Sequence, residues 1–300
     1  MTKALPALLA LFCACAAPAM AQDRVTLGFG RLFSNDRLGD ARDRWRSGSY
    51  TVSMVRGTDW RGQAPARFGD IVEYRVRAEI VAPQNLSRPA RGDRRYAGML
   101  SIGMHSHAAM AGFETRLGLD LVGTGSATGV GRFQSWVHGI LDLPKPALGN
   151  QIPNRIHPTL SAEVGRSLSL GGAQLRPFVE AQTGIETYLR AGADVTIGRF
   201  GTGALMLRDP TTGQRYTGIR GRAEPGFSLT FGGDVARVTD SALLPAGGPA
   251  PLRTRDRLRL GLHWQGDRSE VFYGIARLGR EFEGQPGGQM VGSIRARIRF

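Results

Sequence analysis

Gln134 and His138 stand four residues apart in the stretch GRFQSWVHGILDLPKPALGNQIPN, residues 131–154. On a helix that spacing puts both on one face. An imidazole titrates near neutrality, so a His held beside an amide can take a proton from water as a general base. Two further stretches carry polar side chains of the right kinds. One is Ser34-Asn35-Asp36, and the other is Asp43-Arg44-Trp45-Arg46-Ser47-Gly48. A carboxylate with amide and hydroxyl oxygens can hold a hard cation such as Ca²⁺, which would polarise an ester carbonyl. Each feature also has a plain structural use. Asn-Asp after a strand is ordinary turn chemistry, Ser47 before Gly48 reads as a loop hydroxyl, and single histidines commonly decorate surfaces. Of the others (His105, His107, His157, His263), His105 and His107 share one strand face but lack a third metal ligand. The Gly-rich run 123–131 lacks the Lys-Ser/Thr of a phosphate loop. No G-x-S-x-G is present, so a hydrolase-type serine nucleophile has no support.

These residues need elements to place them. Phe133, Trp136, Val137, Ile140 and Leu141 recur at helical spacing, which predicts a short helix over 131–142 ended by Pro144. It lies in a connection too long for a hairpin turn. Elsewhere the chain alternates. Val72, Tyr74, Val76, Ala78 and Ile80 interleave with Glu73, Arg75, Arg77 and Glu79. Leu258, Leu260, Leu262 and Trp264 interleave with Arg257, Arg259 and His263. Ile294, Ala296, Ile298 and Phe300 interleave with Arg295, Arg297 and Arg299. Strict alternation means two faces in different media. In a soluble sandwich the apolar face is the core; in a membrane barrel it meets lipid and the arginines line the lumen. Twelve strands are expected, at 24–33, 47–57, 70–81, 95–106, 110–122, 158–168, 173–184, 187–198, 224–236, 255–265, 269–280 and 289–300. The fold class expected is all-β, an up-and-down antiparallel transmembrane β-barrel with a short helix in an extracellular loop. Long connections (34–46, 82–94, 123–157, 237–254) then fall at one end and short turns (107–109, 169–172, 266–268) at the other. The segment 199–223 is long for its end, and residues 204–208 and 216–219 read as an extra hairpin. All three polar stretches lie at the long-loop end.

Composition sets the compartment. Lys3, the apolar run 4–17 and Ala19-Met20-Ala21 read as a secretory signal peptide, residues 1–21, with a single barrel domain over 22–300. Cys13 and Cys15 fall within that signal, so the expected mature chain has no disulfide. The net charge is +14, and only two of 39 basic residues are lysines, Lys3 and Lys145. Arg forks grip phosphates and carboxylates in two-point contacts. An exported chain argues against nucleic acid and for anionic lipid, although GC-rich codon usage gives the same bias toward Arg. No run is long and apolar enough for a membrane helix. The terminal Phe300 is an aromatic of the kind that ends outer-membrane barrels.

At these residues the chain resembles the outer-membrane lipid A 3′-O-deacylases, the LpxR type. Four blocks in order carry the resemblance. They are Asn35-Asp36 after the first strand, Asp43-Arg44-Trp45-Arg46-Ser47 leading into the second, and Asp93-Arg94-Arg95-Tyr96-Ala97-Gly98 before the fourth. The last is Gln134, His138, Gln151 and Asn154. Ser47 stands where the family has Thr. The resemblance implies a twelve-stranded barrel in the outer membrane of a Gram-negative bacterium, with a Ca²⁺-dependent site on its outer wall. The expected reaction is hydrolysis of the ester that carries the 3′-linked acyl chains of lipid A, the lipid anchor of lipopolysaccharide. By the same resemblance His138 is the base, and Asn35, Asp36, Ser47 and Gln134 place Ca²⁺ and the ester carbonyl. Arg88, Arg91 and Gln151 are the expected substrate contacts. A lysine of the family's loop after strand three is missing; Arg88 and Arg91 are the nearest basic residues. The family's Trp before the second Gln is replaced by Leu148-Gly149. The alternatives are a non-catalytic barrel (a narrow pore or a lipopolysaccharide-binding structural protein) and a soluble periplasmic β-sandwich.

Overall fold

A computed structural model describes residues 24–222 and 224–298. The expected signal peptide, its two cysteines and Phe300 lie outside the described residues. The strands are β1 (Val25–Asn35), β2 (Trp45–Gly57), β3 (Ile71–Ala82), β4 (Ala97–Met110), β5 (Phe113–Thr124), β6 (Arg155–Gly165), β7 (Leu168–Leu170) and β8 (Ala173–Thr183). They continue with β9 (Glu186–Ile197), β10 (Leu205–Arg208), β11 (Arg215–Ile219), β12 (Gly226–Ser241), β13 (Thr254–Gln265), β14 (Ser269–Leu278) and β15 (Gln289–Ile298). One α-helix, α1, spans Val130–Ile140.

Twelve strands close into an antiparallel barrel. Neighbours in sequence pair in turn, β6 pairs with β8, and β1 meets β15 through Phe33–Ile294, Ser34–Ser293 and Asn35–Gly292. The small β7 only extends the β8 turn. Closure joins the first strand to the last at the β1–β15 seam, as a sheet crossing lipid requires. The alternation reads through as predicted. Tyr74, Val76, Leu258, Leu260, Leu262 and Ile294 are exposed on the outside, while Glu73, Arg75, Glu79, Arg257, Arg259 and Arg295 are buried inside. An apolar outer face around a charged interior is the reverse of a soluble sandwich, so that alternative falls.

The interior is packed by ion pairs. Arg46 reaches Glu79 at 3.1 Å, Glu186 at 2.7 Å and Glu281 at 2.8 Å. Lower down Arg208 bridges Glu163 and Asp194, and Arg257 pairs with Asp234. Removing one partner of such a pair leaves a buried charge, which costs several kcal/mol. The arginine bias of the sequence therefore serves the lumen in large part.

The expected extra hairpin is present as β10–β11 and enters the barrel. It packs against β1 over Gly28 and Gly30, where a Cβ would lie 2.2 Å from the Gly218 carbonyl oxygen and 2.9 Å from the Tyr216 ring. Leu207 and Tyr216 join Leu32, Val55, Ile71 and Phe272 in the largest buried apolar cluster.

One predicted turn is misplaced. The β4–β5 reversal falls at Ala111-Gly112 and not at 107–109. Both residues have positive φ, 51° and 79°, as a tight two-residue hairpin requires. His107 and Ala108 therefore stay in the strand and His107 faces the lumen, where it bonds Glu73.

Candidate active site

The polar stretches meet at the end bearing the loops 36–44, 83–96, 125–154, 242–253 and 279–288. In outer-membrane barrels the longer loops are extracellular. Along β1, Phe33 is exposed outward and Ser34 is buried inward against Ser293. Asn35, two residues past Phe33, therefore faces outward again. Its Oδ1 accepts the Arg37 amide at 2.8 Å and caps a single 3₁₀ turn, Asp36–Leu38.

A bulge aims Ser47. Arg46 is held in the lumen by its three carboxylates, and buried Ser49 also points inward by alternation. Two residues, not one, lie between them, and the β2–β3 register shifts between Arg46 and Gly48. An extra residue in one strand re-aims the side chains around it. Ser47 and Gly48 are thereby turned to the outer wall. Gly48 pairs with Asn35, and a Cβ there would lie 2.9 Å from the Asn35 amide nitrogen. Next door, Trp45 holds φ 51°, a left-handed conformation uncommon for such a bulky residue.

The helix approaches from outside. Gly98, Leu100, Ile102 and Met104 share the outer face of β4, and α1 sits on the first of them. A Cβ on Gly98 would stand 3.0 Å from the Val130 Cβ. Val130, Gly131, Gln134 and His138 are the buried face of α1. The helix runs two residues shorter at its C-terminal end than its spacing predicted.

Asp43 ties these parts together. Its Oδ2 lies 3.1 Å from His138 Nε2. Its Oδ1 accepts from Ser47 Oγ in a short contact and from Gln134 Nε2 at 3.4 Å. Tyr96 donates its hydroxyl to Gln134 Oε1 at 2.9 Å, which fixes the amide so that its nitrogen faces Asp43. His138 Nδ1 lies 2.6 Å from the Pro144 carbonyl. A carbonyl only accepts, so Nδ1 carries its proton and Nε2 is the nitrogen that faces the carboxylate. Burial pushes the Tyr96 hydroxyl well above the ordinary tyrosine range, so it stays a donor.

Asp36 lies beside this group. Its Oδ2 accepts the Arg44 amide at 2.8 Å, and its Oδ1 is buried with no hydrogen-bond partner. Burial pushes its carboxyl up to about 8; the Arg44 amide pulls the other way, and the Asp43 and Asp40 charges add to the rise. Asp40 Oδ1 is likewise buried without a partner. Among the described residues no three His, Cys, Asp or Glu side chains form a metal cluster. A cation here would draw on hydroxyl, amide and main-chain oxygens as well as carboxylates, which suits a hard ion. Two orphaned carboxylate oxygens on one loop fit such an ion.

The structure thus brings His138, Gln134 and Ser47 together through Asp43, with Asn35 and Asp36 adjoining. Asp43 was visible in the sequence only as the head of a strand lead-in. No site role was expected of it, because its partners His138 and Gln134 lie about ninety residues away in the chain. Gln151 donates to the Leu148 carbonyl at 3.0 Å and takes no part in the hydrogen bonds around His138. Asn154 accepts from the Ala127 amide at 2.9 Å and closes the base of the loop. Arg88 and Arg91 are exposed, with no ion pair among the described residues.

Comparison with known proteins follows the same line. A family model described as Outer membrane protein LpxR matches residues 7–300. A search of curated proteins gives no match. LpxR from Salmonella typhimurium superposes with a TM-score of 0.75, covering 91% of this chain and 100% of that one at 17% identity, a likeness of fold. The β-domain of the Bordetella autotransporter BrkA reaches 0.43 at 10% identity, over 91% of this chain and 99% of that one. The KdgM porin reaches 0.39 at 6%, over 91% and 98%. Neither of these two bears on the site. The family match covers nearly the whole chain: it belongs to the LpxR family, a twelve-stranded barrel of the Gram-negative outer membrane.

Proposed function

We propose that this chain is a lipid A deacylase that hydrolyses the ester holding the 3′-linked acyl chain in the outer leaflet. The observation that carries the reading is the His138–Asp43 pair. It is seated between α1 and the outer wall at the extracellular rim, where the glycolipid's ester linkages lie. His138 Nε2 takes a proton from water, and the new hydroxide oxygen bonds the acyl carbon. The bond from that carbon to the sugar oxygen then breaks, and His138 returns the proton to that oxygen, which leaves as the hydroxyl. The products are a free fatty acid and a lipid A with an open 3′-hydroxyl.

Pro144 holds the imidazole ring and Asp43 steadies its charge once it is protonated. Gln134, itself set by Tyr96, keeps Asp43 in place. Asn35, Asp36 and Ser47 are the residues that would hold Ca²⁺. Bound there, the ion supplies a Lewis acid that polarises the ester carbonyl. Arg88 and Arg91, exposed on the neighbouring loop, engage lipid A phosphate as fixed charges. Gln151, whose Oε1 takes no hydrogen bond among the described residues, adds a contact to the sugar.

The test is the lipid A mass spectrum of cells expressing the chain. The wild type removes one acyl unit. His138→Ala leaves lipid A intact while the barrel keeps its heat-dependent gel shift. Asp43→Asn falls by about 10²-fold or more, within the usual worth of an acid–base group. A His138→Ala strain whose lipid A matches that of the wild type would falsify the assignment of the base.

A further inference from the structure

The helix that carries His138 is amphipathic in an inverted sense. Its polar residues Gln134 and His138 are buried against the wall. Its large apolar residues point away from the protein: Phe133 and Trp136 are each 62% exposed, Ile140 63% and Leu141 60%. Phe133, Trp136 and Ile140 fall at i, i+3 and i+7, a single stripe along the helix. The Phe133 and Trp136 rings lie 5.8 Å apart and form a continuous patch. Clustered apolar side chains at such exposure are costly in water and mark a contact surface.

The neighbours say what covers it. Gly98, under the helix, shares an outer strand face with Leu100 and Ile102, which point into lipid at 44% and 64% exposure. Leu100 is two residues from Gly98, about 7 Å along the strand. Leu121 and Ile156 extend the same belt on β5 and β6. The patch on α1 therefore continues the barrel's lipid-facing belt. Arg132 and Lys145 stand exposed beside it. Basic residues flanking an aromatic and aliphatic stripe are the pattern of a helix lying in a membrane interface.

We propose that α1 is a membrane-embedded element, with Phe133, Trp136, Ile140 and Leu141 among the acyl chains of the outer leaflet. The helix then forms the lipid side of a cleft whose other side is β2–β4. An acyl chain reaches His138 sideways, from hydrocarbon, without passing through water. The placement rests on exposure and continuity alone, so it stands whatever the site hydrolyses.

Residues 22–300 contain no cysteine, so single thiols can be introduced cleanly. Phe133→Cys, Ile140→Cys, Ile102→Cys and Arg91→Cys are each labelled with bimane and refolded into dioleoylphosphatidylcholine vesicles, with or without brominated acyl chains. A heat-dependent gel shift confirms folding of each. The labels at 133 and 140 are expected to be quenched by brominated lipid at least half as strongly as the label at 102, and to be shielded from aqueous iodide. The label at 91 is expected to show the opposite. Quenching at 133 and 140 by iodide and not by brominated chains places the helix in water and overturns the proposal. Because no turnover is measured, that result is distinct from a failure of the deacylase reading.

Discussion

Asp36 is a buried carboxyl in the loop beside the His138–Asp43 pair. Its ordinary carboxyl value of 3.8 is raised to about 8 by burial, with Asp43 and Asp40 adding to the rise. The unfolded chain gives up that proton near pH 4, whereas the folded chain keeps it to about pH 8. Stability is therefore lost as pH climbs between those values and levels off above the upper one. A divalent cation that takes the proton's place relieves this cost, so cation affinity rises with pH. Calorimetric titration of Ca²⁺ into the detergent-solubilised barrel should give a Kd that tightens by about tenfold per unit below pH 8 and flattens above it. One proton should leave per ion at the acid end. Asp36→Asn should flatten the curve, and a wild-type affinity independent of pH would remove Asp36 from the ion's donor set. At this scale the sequence was only half readable. Asn35, Asp36, Ser47, Gln134 and His138 could be picked out by type and spacing. The centre they share, Asp43, could not, because its contacts to His138 and Gln134 span about ninety residues and exist only once α1 docks.

At the scale of elements, two local irregularities build the site. The helix showed itself through its spacing, but the outward direction of Phe133, Trp136 and Ile140 did not, since an apolar stripe ordinarily faces a core. The bulge at Ser47 did not show, since its cause is Arg46 being drawn inward by Glu79, Glu186 and Glu281 from distant parts of the chain. The seat of the helix is Gly98, which admits α1 because it has no side chain. A Cβ there meets Val130 at 3.0 Å and the Gly131 amide at 3.3 Å, so branched methyls have no room. Gly98→Val should lift α1 from the wall and part His138 from Asp43. Because position 98 points outward, the lumen's ion pairs are untouched and the barrel should keep its gel shift. Overpacking of this kind costs about 1–3 kcal/mol, enough to cut deacylation by about tenfold or more. Lipid A mass spectra showing full activity in Gly98→Val would mean that the helix does not need this seat.

At the scale of the whole molecule, the hairpin β10–β11 is packed inside the barrel and obstructs its lumen. Alternation over two-residue periods made the barrel readable from sequence, and a connection too long for a periplasmic turn gave away the hairpin. Its destination was not readable, because Leu207 and Tyr216 look like any strand residues until Gly28 and Gly30 open a place for them. Among the described residues, one cavity of about 340 Å³ and another of about 110 Å³ lie along the hairpin. Leu205–Arg208, Gln214 and Arg215 line the larger, while Pro210 and Thr211 line the smaller, so the hairpin is the partition between them. It also seals chemically: Arg208 neutralises Glu163 and Asp194, and Arg257 donates to the Pro210 and Thr211 carbonyls. In planar bilayers the wild-type chain should therefore show no steady conductance, against the narrow-pore alternative. Replacing residues 204–219 with a short Gly-Ser linker should join the cavities and leave Glu163 with less compensation. It should also strip the apolar cluster around Leu32 and Phe272 of its centre. That variant should conduct and should unfold at a lower urea concentration. Steady wild-type channels, or a shortened barrel as tight and as stable as the parent, would show that the wall's own side chains close the lumen and that the hairpin serves another purpose.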